Sequence, residues 1–480
     1  MPASQVSPLV RDRWACPRCR GRELCESGDR VRCPGCGTAF GLERGIPLFL
    51  EESPGPDPAG GVDLTVAVLA LNERENVRAL LPELQRALND TGASHELLVI
   101  DGASTDGTSE AARALGARVH VQERRGYGGA IAEALRAARG RYLLTMDADL
   151  SHPAAFVSRL WAAREDGDVV VASRYVPGAG FEAPWVRKLL SRVLNTTYRR
   201  LLSLPVRDLS SGFRLYRTEA VRSLSIAGTN FESLPELLIK AVLEGRTIAE
   251  VPFDYAPRRE GRSHVHFVAF GLCYLKTLHH MWSLRSSIAA ADYDERAFDS
   301  LIPLQRYWQR RRHEVVLRWM RGCSGVVLDV GCGSSRIVQD LEHVVGLDVL
   351  VSKLRYLRQG CGALAQGSVF DLPFADETFD GVVCSQVIEH IPGGPRPFEE
   401  LARVLKPGGL AVVGTPDYGR PYWPAIERAY KWAHPNGYAD EHITHYSLAS
   451  LREALQGAGF EVLRHEYILG AELNVLARRA

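Results

Sequence analysis

Three groups of side chains in this sequence have the types and spacings that chemistry requires. The first is Asp147-Ala-Asp149, which closes the apolar run RYLLTM. Two carboxylates at the end of a strand can hold Mg²⁺ or Mn²⁺ through oxygen, and the cation can then bridge a diphosphate and stabilise the charge growing on a departing nucleoside diphosphate. Such a pair alone is common in surface loops. This one has company: Asp101 in VIDGASTDGT, and Asn72 and Glu73 in VAVLALNERENV. The second group lies in VVLDVGCGSS, where Gly331 and Gly333 let the backbone approach a ligand and Asp329 can take an ammonium group. Asp348, fifteen residues after Gly333, is placed to accept hydrogen bonds from ribose hydroxyls. That gap is short for a dinucleotide fingerprint and the third glycine is lacking, which disfavours NAD. The third group is Cys16-Pro-Arg-Cys19 and Cys33-Pro-Gly-Cys36, two pairs thirteen residues apart. Two such knuckles complete a tetrahedral Cys₄ site, and with every position filled by protein a bound Zn²⁺ is structural. Cys25 falls outside the set.

The elements that must position these groups follow from the hydrophobic pattern. Short β-branched runs at Thr65–Leu69, Glu96–Ile100, Arg118–Val121, Tyr142–Met146 and Val169–Ala172 alternate with helical stretches, the signature of a parallel α/β sheet. Asp101 and Asp147 then end strands at the carboxyl edge, where this architecture binds ligands. A Pro- and Gly-rich stretch, EESPGPDPAGG at 51–61, reads as a linker, and a fresh α/β series begins at Val326. The expected organisation is a zinc ribbon at 12–50, the linker, an α/β domain at 62–285, a polar helical connector at 286–322 and a second α/β domain at 323–480. The 480 residues are 46% hydrophobic and 24% charged with a formal net charge of +1, which gives no sign of a nucleic-acid partner. Five of the ten cysteines lie in the first 36 positions, as a metal site in a reducing compartment would require. MPASQVSPLVRDRWACPRCR has no apolar leader, and the longest apolar candidate, Ser263–Leu275, stops at Lys276. A cytoplasmic location is expected.

Residues 62–285 resemble family 2 glycosyltransferases, near the dolichol-phosphate mannose and polyprenyl-phosphate glucose synthases. The stretches ALNERENV, VIDGASTDGT, RRGYGGAIAEALRAARG, MDADLSHP, ASRYVPGAG, DLSSGFRLYR and EVPFDYAPRREGRSH occur in family order. The resemblance implies a GT-A, Rossmann-like fold and inverting transfer from a UDP- or GDP-sugar. By matching position it puts Glu73 and Asp101 on the nucleoside, Asp147 and Asp149 on the diphosphate and its metal, and Arg258 on the diphosphate, with Asn72, Arg174 and His264 among the donor contacts. Leu69 and Leu71 replace the family's Pro and Tyr beside the base, and Ser151 stands where a better metal ligand is usual. Residues 323–478 resemble class I methyltransferases of the group that includes ubiquinone-pathway O-methyltransferases, through VLDVGCGSS, GLDVL, GSVFDLPFADETFDGVVCSQVIEHI, ELARVLKPGGLAVVGTP and HYSLASLREALQGAGFEV. This implies S-adenosylmethionine at Asp329, Gly331, Gly333, Asp348, Ser368 and Val369. Ser368 replaces the usual acid for the adenine amino group, with Asp371 nearby. Those relatives bind a divalent ion through ExxEH; here the first position is Gln386, and His390, with Glu389, is the expected catalytic group. His442 and His445 are candidates to orient substrate. Residues 12–50 resemble the zinc ribbon that accompanies many methyltransferases.

The acceptors stay open. A phosphate monoester is already ionised near neutral pH, whereas a sugar hydroxyl needs a base. Asp208 in RDLSSGFR is the candidate base, and capping a turn is its other use. The stretch Trp185–Arg207 carries Arg and Leu at helical spacing. It suits either the cytoplasmic face of a membrane, with basic residues towards polyprenyl phosphate, or packing on its own domain. The expected function is therefore bifunctional: sugar transfer from a nucleotide-sugar to a polyprenyl-phosphate or secondary-metabolite acceptor, and methylation of a related substrate. The alternative is a scaffold in which one domain only binds its ligand.

Overall fold

The computed structural model describes residues 5–52, 61–180, 182, 185–255, 267–433 and 442–480. Arg258 and His264 lie outside the described residues, as does most of the expected linker. The chain divides into two compact units, Pro56–Ser286 and a second made from both ends of the chain, Met1–Gly55 with Ser287–Ala480.

The terminal unit starts with four short strands, β1 (Cys25–Ser27), β2 (Arg30–Arg32), β3 (Ala39–Glu43) and β4 (Ile46–Glu52), paired antiparallel in sequence. The internal unit follows with β5 (Leu64–Ala70), β6 (His95–Asp101), β7 (Arg118–Val121), β8 (Tyr142–Asp147), β9 (Val169–Ser173), β10 (Arg214–Arg217) and β11 (Ile248–Pro252), in the order β11-β9-β10-β8-β5-β6-β7. Only β10 runs antiparallel to its neighbours. All seven residues of β5 are buried because helices cover both faces. Leu64, Val66, Val68 and Ala70 meet the helix Arg74–Asn89 through Val77, Leu81 and Leu84, while Ala67 and Leu69 meet the helix Tyr127–Ala137 through Ala130 and Ile131. The strand runs read from the sequence all fall within observed strands.

The rest of the terminal unit contains β12 (Val327–Val330), β13 (Val344–Asp348), β14 (Leu364–Gln366), β15 (Phe379–Ser385), β16 (Leu405–Pro416), β17 (Phe460–Ile468) and β18 (Glu472–Arg479). Its sheet has eleven strands, β1-β2-β3-β4-β14-β13-β12-β15-β16-β18-β17. The cysteine-rich segment thus extends the sheet of the second α/β series: β4 lies parallel to β14 with Leu48 opposite Gln366. Trp14 forms a bridge to Phe374, Ala15 N–H donates to Pro373 O at 2.9 Å, and Arg355 grips Glu43 at 2.7 and 2.8 Å. Val10, Trp14 and Phe40 share one apolar core with Val345, Leu347 and Phe374. The polar connector is also part of this unit, its helix Pro303–Met320 burying Val315, Val316, Trp319 and Met320. No helix among the described residues is long and apolar enough to cross a membrane.

Candidate functional sites

In the internal unit, strand register brings the carboxylates together. Ala70 of β5 lies opposite Asp101 of β6, and Leu69 lies opposite Asp147 of β8. The two acids therefore flank the end of β5, from which Leu71–Glu73 continue. Asp101 is buried and accepts from Ser104 N–H at 3.0 Å, Ser104 Oγ at 2.5 Å and Ser109 Oγ. Asn72 takes a left-handed φ of 55°; its N–H donates to Ser104 Oγ at 2.8 Å and its Oδ1 accepts from Thr105 N–H at 2.9 Å. Glu73 N–H donates to Thr108 Oγ1 at 2.9 Å. These bonds fix the loops after β5 and β6 to one another, so Asn72, Glu73 and Asp101 line one edge.

Asp147 accepts from the Tyr127 hydroxyl at 3.0 Å, and its N–H donates to His152 Nδ1 at 3.0 Å. Burial, then the charge of Asp147, pushes the Tyr127 hydroxyl well above its ordinary value, so it stays a donor. A Cβ on Gly212 would come within 2.2 Å of that hydroxyl, so only glycine leaves room for the contact. His152 stacks on Phe213 with centroids 4.7 Å apart. Asp149 is buried and accepts from Ser151 N–H at 3.1 Å and Ser151 Oγ at 2.5 Å. Ser151 thus shapes the turn that presents the acid.

Of the two uses the sequence left open for Asp208, its hydrogen bonds serve the capping one. It is fully buried, and Arg174 donates to it from Nε at 2.7 Å, from Nη2 at 2.8 Å and from its backbone N–H at 3.0 Å. Ser210 and Ser211 N–H add bonds at 3.1 and 3.0 Å. Burial alone would raise this carboxyl, but Arg174 and the backbone donors outweigh it and hold the group below the usual range. A carboxylate so engaged is a weak proton acceptor. Arg174, expected on the donor, has its guanidinium directed at Asp208 and Ser210. Sequence reasoning missed the neighbouring cleft of about 420 Å³, lined by Tyr175, Arg192, Asn195, Thr196, Arg199 and Arg207. It lies along the helix Trp185–Leu201, whose Trp185, Leu189, Leu190 and Val193 are exposed.

In the terminal unit, β12 ends in the glycine turn, with Gly331 and Gly333 at φ 67° and 56°. A Cβ on Gly331 would sit 2.3 Å from Val387 Cγ2. Asp348, at the end of β13, accepts from Gly333 N–H and Leu350 N–H, both at 2.8 Å. Asp329 is buried and its Oδ2 has no hydrogen-bond partner. Burial, with Asp348 and Asp294 nearby, pushes its carboxyl up to about 8. An orphaned buried acid of this kind fits a cationic ligand group. Two polar neighbours were missed. Asp294 accepts from Ser334 N–H and from Lys353 Nζ, each at 2.8 Å. The connector's polarity hid Asp294, and Lys353 lies in the short helix Val351–Leu357 just past β13.

The turn carrying Ser368 and buried Val369 closes with a bridge to Asp371, whose N–H donates to Ser368 O at 3.1 Å. Gly367 N–H donates to Asp348 O at 3.1 Å, which ties this turn to the end of β13. Glu389, after β15, is fully buried with neither carboxylate oxygen hydrogen-bonded, and burial pushes it up to about 8. Ligand atoms of Glu389, His390 and His442 lie within 4.8 Å of one another, a set able to hold a metal ion or to pass a proton. His442 Nδ1 meets the Tyr418 hydroxyl at 2.7 Å, and His445 stacks on Tyr418 at 3.9 Å. The segment carrying His442 is held there by Ile443 and Thr444 N–H donating to Glu389 O at 2.8 and 3.0 Å. The Sγ atoms of Cys16, Cys19, Cys33 and Cys36 also fall within 4.8 Å of one another, with Cys25 outside the set. Four convergent thiols fit a zinc ribbon.

A family 2 glycosyl transferase model matches residues 65–225, and a methyltransferase-domain model matches residues 328–413. An uncharacterised glycosyltransferase of Mycobacterium tuberculosis is 33% identical over 205 residues, 43% of this chain and 90% of that protein. The chain belongs to glycosyltransferase family 2. This family 2 glycosyltransferase also carries a methyltransferase domain, and is a transferase with both activities. It is 32% identical over 236 residues to the polyprenol monophosphomannose synthase of Mycolicibacterium smegmatis, covering 45% of this chain and 88% of that one. A SAM-dependent methyltransferase of Thermotoga maritima, described as a possible histamine N-methyltransferase, aligns in structure at 20% identity and a TM-score of 0.31, over 38% of this chain and 98% of that one.

Proposed function

We propose that the internal unit transfers a sugar, with inversion, from a UDP- or GDP-sugar to a polyprenyl phosphate, and that the terminal unit methylates an oxygen of a pathway-related molecule with S-adenosylmethionine. The engagement of Asp208 by Arg174 carries the choice of acceptor. With that candidate base held in an ion pair, an acceptor that is already ionised suits the site better than a sugar hydroxyl. The mycolicibacterial relative, by its name a polyprenol monophosphomannose synthase, supports the same choice, as does the cleft lined by Arg192, Arg199 and Arg207. Asn72, Glu73 and Asp101 would hold the nucleoside. Asp147 and Asp149 would hold Mg²⁺ or Mn²⁺, which when bound neutralises charge on the departing diphosphate. Tyr127 fixes Asp147 by donating to it, and Ser151 fixes Asp149. The exposed apolar side chains of Trp185–Leu201 would rest on the cytoplasmic face of the membrane that holds the acceptor.

In the methyltransferase half, Asp329 would take the ammonium of S-adenosylmethionine, Asp348 its ribose, and Ser368 and Val369 its adenine. The cofactor when bound supplies an activated methyl group, and the protein's part is alignment. Glu389 and His390, close to one another, would take the proton of an acceptor hydroxyl. The test is a panel of UDP- and GDP-sugars with labelled sugar, offered polyprenyl phosphate or the phosphate-free polyprenol. Transfer to the phosphate alone is expected; equal transfer to the alcohol would overturn the acceptor assignment. Absence of labelled methyl transfer, with cofactor still bound, would favour the scaffold reading for that half.

A further inference from the structure

We infer that the four-cysteine knuckle acts through Arg20 as a positioning element for the cofactor-binding turn at 368–372, so that zinc occupancy and S-adenosylmethionine affinity are coupled. This deepens the proposed methyltransferase reading and rests on it. The first knuckle sits directly on that turn. Arg13–Ala15 pair with Pro373–Ala375 through Ala15 N–H to Pro373 O and Ala375 N–H to Arg13 O, both 2.9 Å, and Cys16 follows at once. Within the knuckle, Arg20 N–H donates to Cys16 O at 2.8 Å and Gly21 O accepts from Cys16 N–H at 2.8 Å. These bonds hold Arg20 at a left-handed φ of 63°, a conformation that a side-chain-bearing residue keeps only when its surroundings impose it.

From there the guanidinium reaches across more than 350 positions of sequence. It donates to Leu372 O at 2.9 Å, to Asp371 Oδ1, and to Glu400 Oε1 at 3.2 Å. Glu400 is buried and accepts Leu372 N–H at 2.8 Å, with Arg403 donating to both its oxygens. Arg20 is thus the ribbon's contribution to a network that grips Asp371 and Leu372, while Ser368 and Val369 on the same turn face the cofactor in the proposed reading. Asp371, three positions after Ser368, is turned to Arg20. Zinc fits the cysteines, whose Sγ atoms converge within 4.8 Å of one another. Bound zinc would hold the loop on which Arg20 stands, and any stabilisation passed to the cofactor turn must be returned to the metal, because coupling between sites is reciprocal.

The full chain tests this, with zinc and S-adenosylmethionine as probes. Calorimetry gives cofactor affinity, and capture of zinc by a chromogenic chelator gives its release rate with and without cofactor. Arg20→Ala, which removes no zinc ligand, should keep one zinc per chain and lose about 5-fold or more in cofactor affinity. In the wild type, saturating cofactor should slow zinc release; in Arg20→Ala that protection should disappear. Asp371→Asn breaks the contact from the other side without touching the knuckle and should behave likewise. Arg20→Lys should recover part of the coupling. Zinc-loaded Arg20→Ala with wild-type affinity and wild-type protection would overturn the coupling alone. A wild type that binds no cofactor would overturn the methyltransferase reading beneath it.

Discussion

Replacing Asp329 by Asn should make the terminal unit more stable and at the same time blind to its cofactor. The carboxyl lies in an apolar surrounding with one oxygen unpartnered and with Asp348 and Asp294 close by, which raises it from 3.8 to about 8. Between those two values the folded unit keeps a proton that the unfolded chain releases. Stability therefore falls as pH rises through that window and levels off above about 8. At about 1.4 kcal/mol per pH unit the full window is worth at most roughly 6 kcal/mol, and relaxation around the charge should leave about half of that. Asn carries no proton to lose. The variant's advantage over the wild type should therefore be at least about 2 kcal/mol larger at pH 8.5 than at pH 5. Urea unfolding at both pH values would measure it, with the relevant transition recognised in the wild type by its shift on adding S-adenosylmethionine. Calorimetry on the variant should find no cofactor binding. The same difference at both pH values would refute the burial argument, and undiminished binding would refute the ligand role.

Asp149→Asn, or EDTA on the wild type, should reduce sugar transfer by about 10²-fold or more, since each removes charge that stabilises the departing diphosphate; an unaffected rate would exclude the metal. Cys16→Ser/Cys33→Ser should lose its zinc by metal analysis while keeping sugar transfer; retained zinc would remove the Cys₄ assignment. Leu189→Glu/Val193→Glu, at positions 52% and 56% exposed, should weaken sedimentation with anionic vesicles without changing the circular dichroism.

The strands of the internal unit were legible because burial on both faces demands continuous apolar runs such as LTVAVLA, and Asp101 and Asp147 could be placed at strand ends for the same reason. Their position on either side of β5 depends on register, which spacing along the chain does not encode. Asp208 stayed open between two uses in the sequence because its partner Arg174 lies 34 positions upstream, and a serine-rich loop looks the same whether its acid is a base or half of an ion pair. Asp294 was hidden for a related reason: a polar helix reads as a spacer until the glycine turn it touches is seen. The cysteine spacing announced a metal, but not the surface the ribbon serves, since β4 finds its parallel partner β14 only after residue 364.

That last separation bears on how the chain is made. On a ribosome β4 emerges with its outer edge unsatisfied, and the whole sugar-transfer unit must be synthesised before the strand that covers it exists. An open edge is a template for wrong pairing, and the apolar side chains of this segment wait for the core they later share with Val345, Leu347 and Phe374. Metal capture by the two knuckles is a fold that needs no partner strand, so zinc would serve as a temporary scaffold for the first fifty residues during the wait. Cells starved of zinc should then accumulate chains whose inner unit is native and whose two ends never met.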